Sequence, residues 1–270
     1  MAIPIRTAGE MLAQAHAAQV LSSILIHSAQ ELRAGLRTID IDRTVRDLIT
    51  EAGAVPVLDG YAVTGRPKPY AGATCISINE EVVHAPPGPR IIREGDLVTI
   101  DISISVDGWM ADAAVTLGIG ELSESRRGLL NLGREAVAAG LEAITPGALW
   151  SDVAASVQRV VQKCGGRLIA SYAGHGIGRE LHEPPRLPLT APDVDAWRKS
   201  QGDLVLRPGM VLTIEPIVTF GSAQTSELDD GWTVVTADRA DVVHEERMIG
   251  ITRSGSQDFT SRLTCDAQAT

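Results

Sequence analysis

An internal repeat constrains the fold of this chain more than any other feature of its sequence. Segments 35–53, "GLRTIDIDRTVRDLITEAG", and 147–165, "GALWSDVAASVQRVVQKCG", align without gaps at an offset of 112 residues. In each copy a loop leads into an amphipathic helix with an Asp near its start and a Gly just after its end. Two unrelated amphipathic helices could resemble each other by chance, but the shared order of loop, helix and glycine favours a duplication.

The sequence around the repeat predicts the rest of each half. Helical stretches at 9–33 and 126–144 precede the two copies, and strand-like segments follow them. This order predicts an α+β fold in which two helices and a hairpin occur twice and pack around one sheet. We expect a single domain over 1–270, with pseudo-equivalent halves at about 7–125 and 126–256.

Composition narrows the class of protein. The 270 residues, of which 44% are hydrophobic, are enough to bury a large core. A formal net charge of −10 argues against nucleic acid or an anionic membrane as the main partner. Three cysteines without CxxC spacing, Cys75, Cys164 and Cys265, indicate a reducing compartment. Because the sequence shows neither a secretory leader nor a membrane-spanning apolar run, we expect a cytoplasmic protein.

The segment 96–120 predicts a β-hairpin that brings two aspartates together. Apolar residues alternate in "VTIDISISV", and the following Asp-Gly favours a two-residue turn. Pairing across this turn places Asp112 opposite Ser103, with Asp101 on the same face as a diagonal neighbour of Asp112. Two carboxylates this close repel each other unless a cation or a shared proton lies between them, although both could also be solvated on an open face.

Two further segments carry candidate site residues. The stretch 171–185, "SYAGHGIGRELHEPP", places His175 and His182 in a glycine-broken region where a stable helix is not expected. The apolar run 208–218 predicts a strand that contains Glu215 just before a proline. A carboxylate in such a run is costly to bury unless it is paired or bound to a cation.

The segment 241–252 predicts a final strand with a second candidate carboxylate. A period of two puts His244 and Glu246 on one face and Glu245 with Arg247 on the other. We expect Glu245 and Arg247 to form a surface ion pair. Glu246 is then the carboxylate that points inward.

The candidate residues offer one imidazole and four carboxylates. A single zinc ion prefers four ligands and does not need so many oxygen donors. The set suits two divalent metals about 3.5–4 Å apart, bridged by carboxylates, which would lower the pKa of a shared water and polarise a carbonyl or phosphoryl oxygen. His84 follows an apolar strand and precedes "PPGP", and by itself it is more simply interpreted as a structural histidine. The candidate ligands are Asp101, Asp112, His175, Glu215 and Glu246.

The candidate residues lie in a series of motifs, which are, in order, "SINEEVVHAPPG", "GDLVTIDISISVDGWMADAAVT", "GHGIGRELHEPP", "RPGMVLTIEPIV" and "DGWTVVTADR" with "EERMIGIT". Together these motifs resemble those of type I methionine aminopeptidases, from about residue 7 to 256. The resemblance implies the pita-bread fold, in which two pseudo-symmetric α/β halves surround a central curved antiparallel sheet. This agrees with the duplication inferred from the repeat.

The resemblance also implies the activity and its cofactors. Two divalent ions (cobalt, manganese, iron or zinc) are expected on the five candidate ligands, and a hydroxide that they share attacks the carbonyl of an N-terminal methionine. It implies catalytic roles for His84, His182 and Glu215, with Glu215 carrying a proton to the leaving amine. The second substrate residue is expected to be small. The residues expected to contact substrate are His84, His182, Tyr70, Cys75, Leu181 and Trp232.

Several positions depart from the family pattern. His244 stands where Gln is common, and Arg247 with Met248 replaces the usual His-Thr. The usual "HGIP" is "HAPP" at 84–87, and segment 186–203 is longer and more polar than expected. These changes leave the predicted ligands in place but alter their surroundings and bear on substrate breadth.

Two other functions fit parts of this pattern. A relative that cleaves before proline uses a similar metal set, but usually with a large extra N-terminal domain that we do not find here. A pita-bread protein without metals could serve as a binding module, although such relatives typically lose several ligands. For the aminopeptidase we expect peptide or nascent-protein N termini that begin with Met as partners, the ribosome as a candidate partner, and a monomer.

Overall fold

The structure is a computed structural model, and it describes residues 3–66 and 68–263 of the chain. Cys265, which entered the cysteine argument, lies outside the described residues. The helices are α1 (Ala8–Glu31), α2 (Thr38–Glu51), α3 (Glu124–Ala143), α4 (Trp150–Lys163) and α5 (Ala191–Gln201).

The strands are short except for two of ten residues each in the segment 97–118. They are β1 (Val55–Pro56), β2 (Thr74–Ile78), β3 (Glu81–Val83), β4 (Leu97–Val106), β5 (Trp109–Gly118), β6 (Arg167–Leu168), β7 (Gly174–Gly176), β8 (Glu183–Leu187), β9 (Val211–Ile214), β10 (Ile217–Thr219), β11 (Thr225–Glu227), β12 (Val234–Thr236), β13 (Val242–His244), β14 (Arg247–Ile251) and β15 (Ser256–Asp258).

The two copies of the sequence repeat form equivalent helices. Helices α2 and α4 begin 112 residues apart and also end 112 residues apart. The glycines after them, Gly53 and Gly165, have φ angles of 66° and 74°, a left-handed conformation that ends a helix and favours glycine. The aligned residues Val45 and Val157 are both fully buried. This correspondence supports the division into two halves, which remains a prediction.

The hairpin predicted over 96–120 is confirmed, including its register. Strands β4 and β5 pair along their whole length, with Val106 opposite Trp109 and Ser103 opposite Asp112. The two turn residues have φ angles of 50° and 73°, as a type I′ turn requires. The twist of a type I′ turn matches the twist of the two strands. The turn therefore fixes the register of their pairing over ten residues on each side.

The strands form four hydrogen-bonded sheets in the described part of the chain rather than one. Strand β4 lies between β1 and β2 and also pairs with β5, while the largest sheet has the order β15-β14-β9-β7-β8. All described pairings are antiparallel, and the two larger sheets meet at a bridge between Ala114 and Glu246. Strands β13-β10-β6 and β11-β12-β3 form the other two sheets.

Breaks at two glutamates explain why the sheet is divided. The predicted strand 208–218 is split into β9 and β10 at Glu215 and Pro216, because a proline has no N–H to donate to the ladder. The predicted strand 241–252 is split into β13 and β14 at Glu245 and Glu246, and it is not the last, since β15 follows. At each break a glutamate therefore lies between two strands, where its side chain no longer has to follow the alternation of a regular strand.

Two large apolar cores lie between the helices and the sheets. The first is built around residues such as Leu21 and Ile100, with α1 packed on β4 and β5 and α2 packed on β1 and β2. The second is built around residues such as Trp150 and Ile214, with α3 packed on β10 and β13 and α4 packed on α3 and β6. No helix of the described ranges is long and apolar enough to cross a bilayer.

The predicted surface ion pair of Glu245 and Arg247 is in fact buried, so this prediction is wrong in its location. The pair does form, with Arg247 Nη2 2.8 Å from Glu245 Oε2, but the two residues are only 3% and 2% exposed. Helix α3 covers this face of the strands: a Cβ added to Gly133 would lie 3.5 Å from the Glu245 side chain. Side-chain alternation with a period of two assigns residues to the two faces of a strand. It does not show that a helix covers the second face as well.

Candidate active site

Every site residue predicted from the sequence lines one cavity of about 730 Å³. Its lining comes from strands such as β4, β5 and β7 and from the loops between strands. The roles of these residues remain predictions, but the structure brings them together. The predicted residues that line it are Asp101, Asp112, His175, Glu215, Glu246, His84, His182, Tyr70, Cys75, Leu181 and Trp232.

Three of the predicted ligands form a tight cluster. Donor atoms of Asp112, His175 and Glu246 all lie within 4.8 Å of one another, and all three residues are buried. Asp112 Oδ2 lies 3.6 Å from His175 Nε2. Ser103 donates a hydrogen bond of 2.8 Å to Oδ1 of Asp112, which leaves Oδ2 directed at the cluster. The hairpin register therefore orients this carboxylate.

The backbone around His175 fixes which ring nitrogen is free. His175 Nδ1 lies 3.0 Å from the carbonyl of Gly176, and a carbonyl only accepts, so Nδ1 carries the proton and Nε2 has a free lone pair. The His175 N–H also donates to Thr213 Oγ1 at 3.1 Å. A Cβ on Gly174 would lie 2.4 Å from the Thr213 carbonyl, and one on Gly176 2.3 Å from that of Pro184. Only glycines permit this close approach.

The two remaining predicted ligands lie beside the cluster rather than inside it. Glu215 Oε1 is 4.0 Å from His175 Nε2, at the break between β9 and β10. Asp101 pairs with Cys75 across β4 and β2. Burial raises the pKa of Asp101 well above its ordinary value, and the charges of Asp112 and Glu215 raise it further. Burial likewise raises the pKa of Glu215 to about 7.

These residues fit divalent metal ions. Burial, with the nearby charge of Asp112, raises the pKa of Glu246 well above its ordinary value. Glu246 Oε1 is buried and has no hydrogen-bond partner among residues 3–66 and 68–263. Buried carboxylates so close together are unfavourable when ionised, and a bound cation removes that penalty. The free Nε2 of His175 completes a mixed oxygen and nitrogen donor set suited to transition metals.

His182 and His84 border the cluster without belonging to it. The rings of His175 and His182 have centroids 4.5 Å apart, so the two histidines of "GHGIGRELH" do converge. Burial and the nearby His175 lower the pKa of His182. His84 has a φ angle of 59°, and burial lowers its pKa to about 4. Both imidazoles are therefore neutral at pH 7 and can each donate and accept one hydrogen bond.

An apolar pocket adjoins these groups. The rings of Tyr70 and Trp232 meet edge to face with centroids 5.1 Å apart, and Cys75 packs against them. Tyr70 donates its hydroxyl proton to a backbone carbonyl, that of Thr74 (2.9 Å) or Ala85 (3.0 Å), which holds the ring in place. These rings and Cys75 form an apolar part of the cavity lining.

Other lining residues were not predicted from the sequence. Tyr61 lies with its hydroxyl 3.2 Å from Nδ1 of His182. Arg66 stacks over Trp232, with its guanidinium carbon 4.9 Å from the ring centroid. Tyr172 meets His84 with ring centroids 6.0 Å apart. Tyr61 and Arg66 lie in an irregular loop before β2, where the sequence offers no periodicity that would have identified them.

This chain is similar to known metallopeptidases over nearly its whole length. The profile of metallopeptidase family M24 matches residues 5–253. "Methionine aminopeptidase 1" of Mycobacterium tuberculosis is 36% identical over 265 residues, covering 96% of this chain and 95% of that protein. The crystal structure of a methionine aminopeptidase from Thermotoga maritima superposes with a TM-score of 0.87 at 34% identity, over 96% of this chain and 99% of that one.

A more distant likeness concerns the fold alone. The prolidase from Pyrococcus furiosus superposes with a TM-score of 0.71 at 22% identity, and the match covers 95% of this chain but 65% of the prolidase. The pita-bread fold predicted from the sequence is confirmed by these neighbours. With the family profile matching nearly the whole chain, this protein belongs to metallopeptidase family M24.

Proposed function

We propose that this chain removes the N-terminal methionine from peptides and nascent proteins. The observation that carries the proposal is the cluster of Asp112, His175 and Glu246 in one cavity with an apolar pocket. The cluster supplies metal-binding chemistry, and the pocket beside it supplies a place for the first side chain of a substrate. The similarity to methionine aminopeptidases over nearly the whole chain supports the same activity.

The proposed metal centre uses one imidazole and four carboxylates. Two bound divalent ions, whether cobalt, manganese, iron or zinc, would lower the pKa of a water molecule and polarise the scissile carbonyl. Asp112 has one oxygen held by Ser103 and the other free, and His175 has its free nitrogen turned to the same point. The residues proposed to hold the ions are Asp101, Asp112, His175, Glu215 and Glu246.

Neutral imidazoles and one glutamate serve the proton transfers in this proposal. His182 donates a hydrogen bond to the oxygen of the scissile carbonyl as negative charge develops there. When Tyr61 donates to Nδ1 of His182, the proton of that ring stays on Nε2, which can then face the substrate. Glu215 carries a proton to the leaving amine, because a carboxylate can hold a metal with one oxygen and a proton with the other. His84, which lines the same cavity, contacts the substrate amide.

The apolar pocket accounts for the preference for methionine. Tyr70, Cys75, Leu181 and Trp232 are each at most 6% exposed, and they line the cavity beside the catalytic groups. A wall of aromatic and sulfur-containing side chains suits an unbranched thioether.

Two substitutions test this function. Asp112→Asn removes a charge from the metal cluster, and His182→Ala removes the proposed donor to the oxyanion. Each should lower kcat/KM for release of methionine from a Met-Gly peptide by at least about 100-fold. The matched control is Asp47→Asn, on the exposed face of α2, which should leave kcat/KM unchanged. Wild-type turnover in both site variants would reject the proposal.

The same protein preparation separates the alternatives. A panel of peptides that varies the first two residues distinguishes a methionine aminopeptidase from an enzyme that cleaves before proline. Metal analysis after reconstitution distinguishes an enzyme from a binding module, which would hold less than about one divalent ion per chain. The proposal also includes a monomeric state, which light scattering tests, and a cytoplasmic location, which cell fractionation tests. Ribosome co-sedimentation tests the proposed encounter with the ribosome.

A further inference from the structure

His244 places a second buried imidazole next to the proposed metal cluster. It ends β13, and its N–H donates to Thr116 Oγ1 at 3.0 Å, while Thr116 Oγ1 donates to the His244 carbonyl at 2.8 Å. These bonds and its pairing with Ile217 in β10 fix the backbone. The residue is 3% exposed and lines the same cavity as the predicted ligands.

Neither ring nitrogen of His244 has a hydrogen-bond partner in the described part of the chain. A buried polar atom without a partner is unfavourable, and most such atoms in native proteins are satisfied by protein, water or a ligand. A neutral imidazole carries one proton on its two ring nitrogens, so the other nitrogen of His244 has a free lone pair. A neutral imidazole facing carboxylates is suited to bind a cation.

The distances around His244 match those among the predicted ligands. His244 Nε2 lies 3.9 Å from Glu215 Oε2, which is too long for a hydrogen bond. His175 Nε2 lies 3.6 Å from Asp112 Oδ2 and 4.0 Å from Glu215 Oε1. Donor atoms bound to one metal at about 2.0–2.2 Å are separated by roughly 3–3.6 Å, so a cation would need to draw these groups together only slightly.

We infer that His244 is an additional ligand of this centre and binds, through Nε2, the cation that Glu215 holds. The inference rests on the proposed metallopeptidase function. It concerns a position where the family commonly has Gln, whose amide is a much weaker metal ligand than imidazole. A second imidazole shifts the donor set from oxygen towards nitrogen, which favours cobalt, nickel or zinc over manganese. His244 thus tunes which metal the centre selects.

The test counts histidine ligands with Co²⁺ as the probe. Imidazole N–H protons of histidines bound to Co²⁺ are shifted far outside the normal proton NMR range, and each bound ring gives one such exchangeable signal. The wild-type protein should show one from His175 and one from His244, and His244→Gln should lose one. Calorimetry should show Co²⁺ affinity at least about tenfold weaker in His244→Gln, with a smaller loss for Mn²⁺.

His27→Gln, an exposed histidine on α1, is the matched control and should keep both signals and the Co²⁺ affinity. A single shifted signal in the wild-type protein, or Co²⁺ affinity unchanged in a folded His244→Gln protein, would overturn the role of His244. The wild-type signal count answers the question even if the variant does not fold. A wild-type protein that binds no Co²⁺ would instead reject the whole metal centre, and with it the proposed function.

Discussion

Replacing Arg247 by Met should strongly destabilise the protein, because it breaks an ion pair that is inaccessible to water. Arg247 Nη2 lies 2.8 Å from Glu245 Oε2, and Nη1 donates to the carbonyls of Ala114 (3.0 Å) and Glu246 (2.8 Å). The guanidinium therefore links β14 to β5 at the bridge where the two larger sheets meet. Its loss leaves the Glu245 carboxylate buried without a counter-charge.

The size of the effect follows from this burial. Removing one partner of a buried ion pair costs about 3–5 kcal/mol, whereas an exposed pair contributes about 0–1 kcal/mol. In a domain of this length each kcal/mol lowers Tm by roughly 2–4 °C, so Arg247→Met should lower Tm by roughly 6–20 °C. Adding Glu245→Leu should recover most of that loss, since two packed apolar side chains replace a buried pair at little net cost.

Urea and thermal unfolding of the metal-free protein, followed by circular dichroism, measure both effects. The matched control is Arg33→Met: Arg33 pairs with Glu31 at 3.6 Å, and its side chain is 65% exposed. This control should change the free energy of unfolding by less than about 0.5 kcal/mol. The reasoning is refuted if Arg247→Met is as stable as the control, or if the Glu245→Leu/Arg247→Met protein is less stable than Arg247→Met alone.

Two further predictions concern the cavity. Tyr61→Phe removes the hydroxyl beside Nδ1 of His182. Because one neutral hydrogen bond is lost, kcat/KM should fall by roughly threefold to tenfold with little change in Tm. Unchanged kinetics would contradict the role given to Tyr61. In the metal-free protein burial raises the pKa of Glu215 from 4.5 to about 7, so its contribution to stability is present below the unfolded-state pKa and lost as the pH rises through about 7. Urea unfolding should show stability falling between about pH 4.5 and 7 and levelling off above that range, and Glu215→Gln should reduce this slope; an equal slope in the variant would contradict the assignment.

The local parts of the site follow from the sequence. An Asp-Gly turn between alternating segments determines the register of β4 and β5, because only one pairing suits a two-residue turn. That register alone places Ser103 against Asp112 and orients the carboxylate. The glycines around His175 likewise exclude a helix and permit the close backbone approach that the structure shows. These are short-range effects, so they can be derived from adjacent residues.

Other features depend on parts of the chain that are far apart. The alternation of 241–252 separates Glu245 from Glu246 but gives no sign that helix α3 covers the face with Glu245, which makes the expected surface pair a buried one. Tyr61 reaches His182 from an irregular loop whose course no periodicity describes. The break of the strand at Glu246 also depends on its bridge to Ala114 in β5, which is far away in the sequence.

The sequence by itself determined the repeated helices, the hairpin and the identity of the groups able to bind metals, because turn chemistry and side-chain period act over a few residues. Only the tertiary structure decided that Asp112, His175 and Glu246 lie within 4.8 Å of one another, and that Glu215 and His244 lie beside them. Their elements are brought together by the packing of two cores and by bridges between sheets. Such contacts depend on shape complementarity between distant segments, which no local pattern in the sequence expresses.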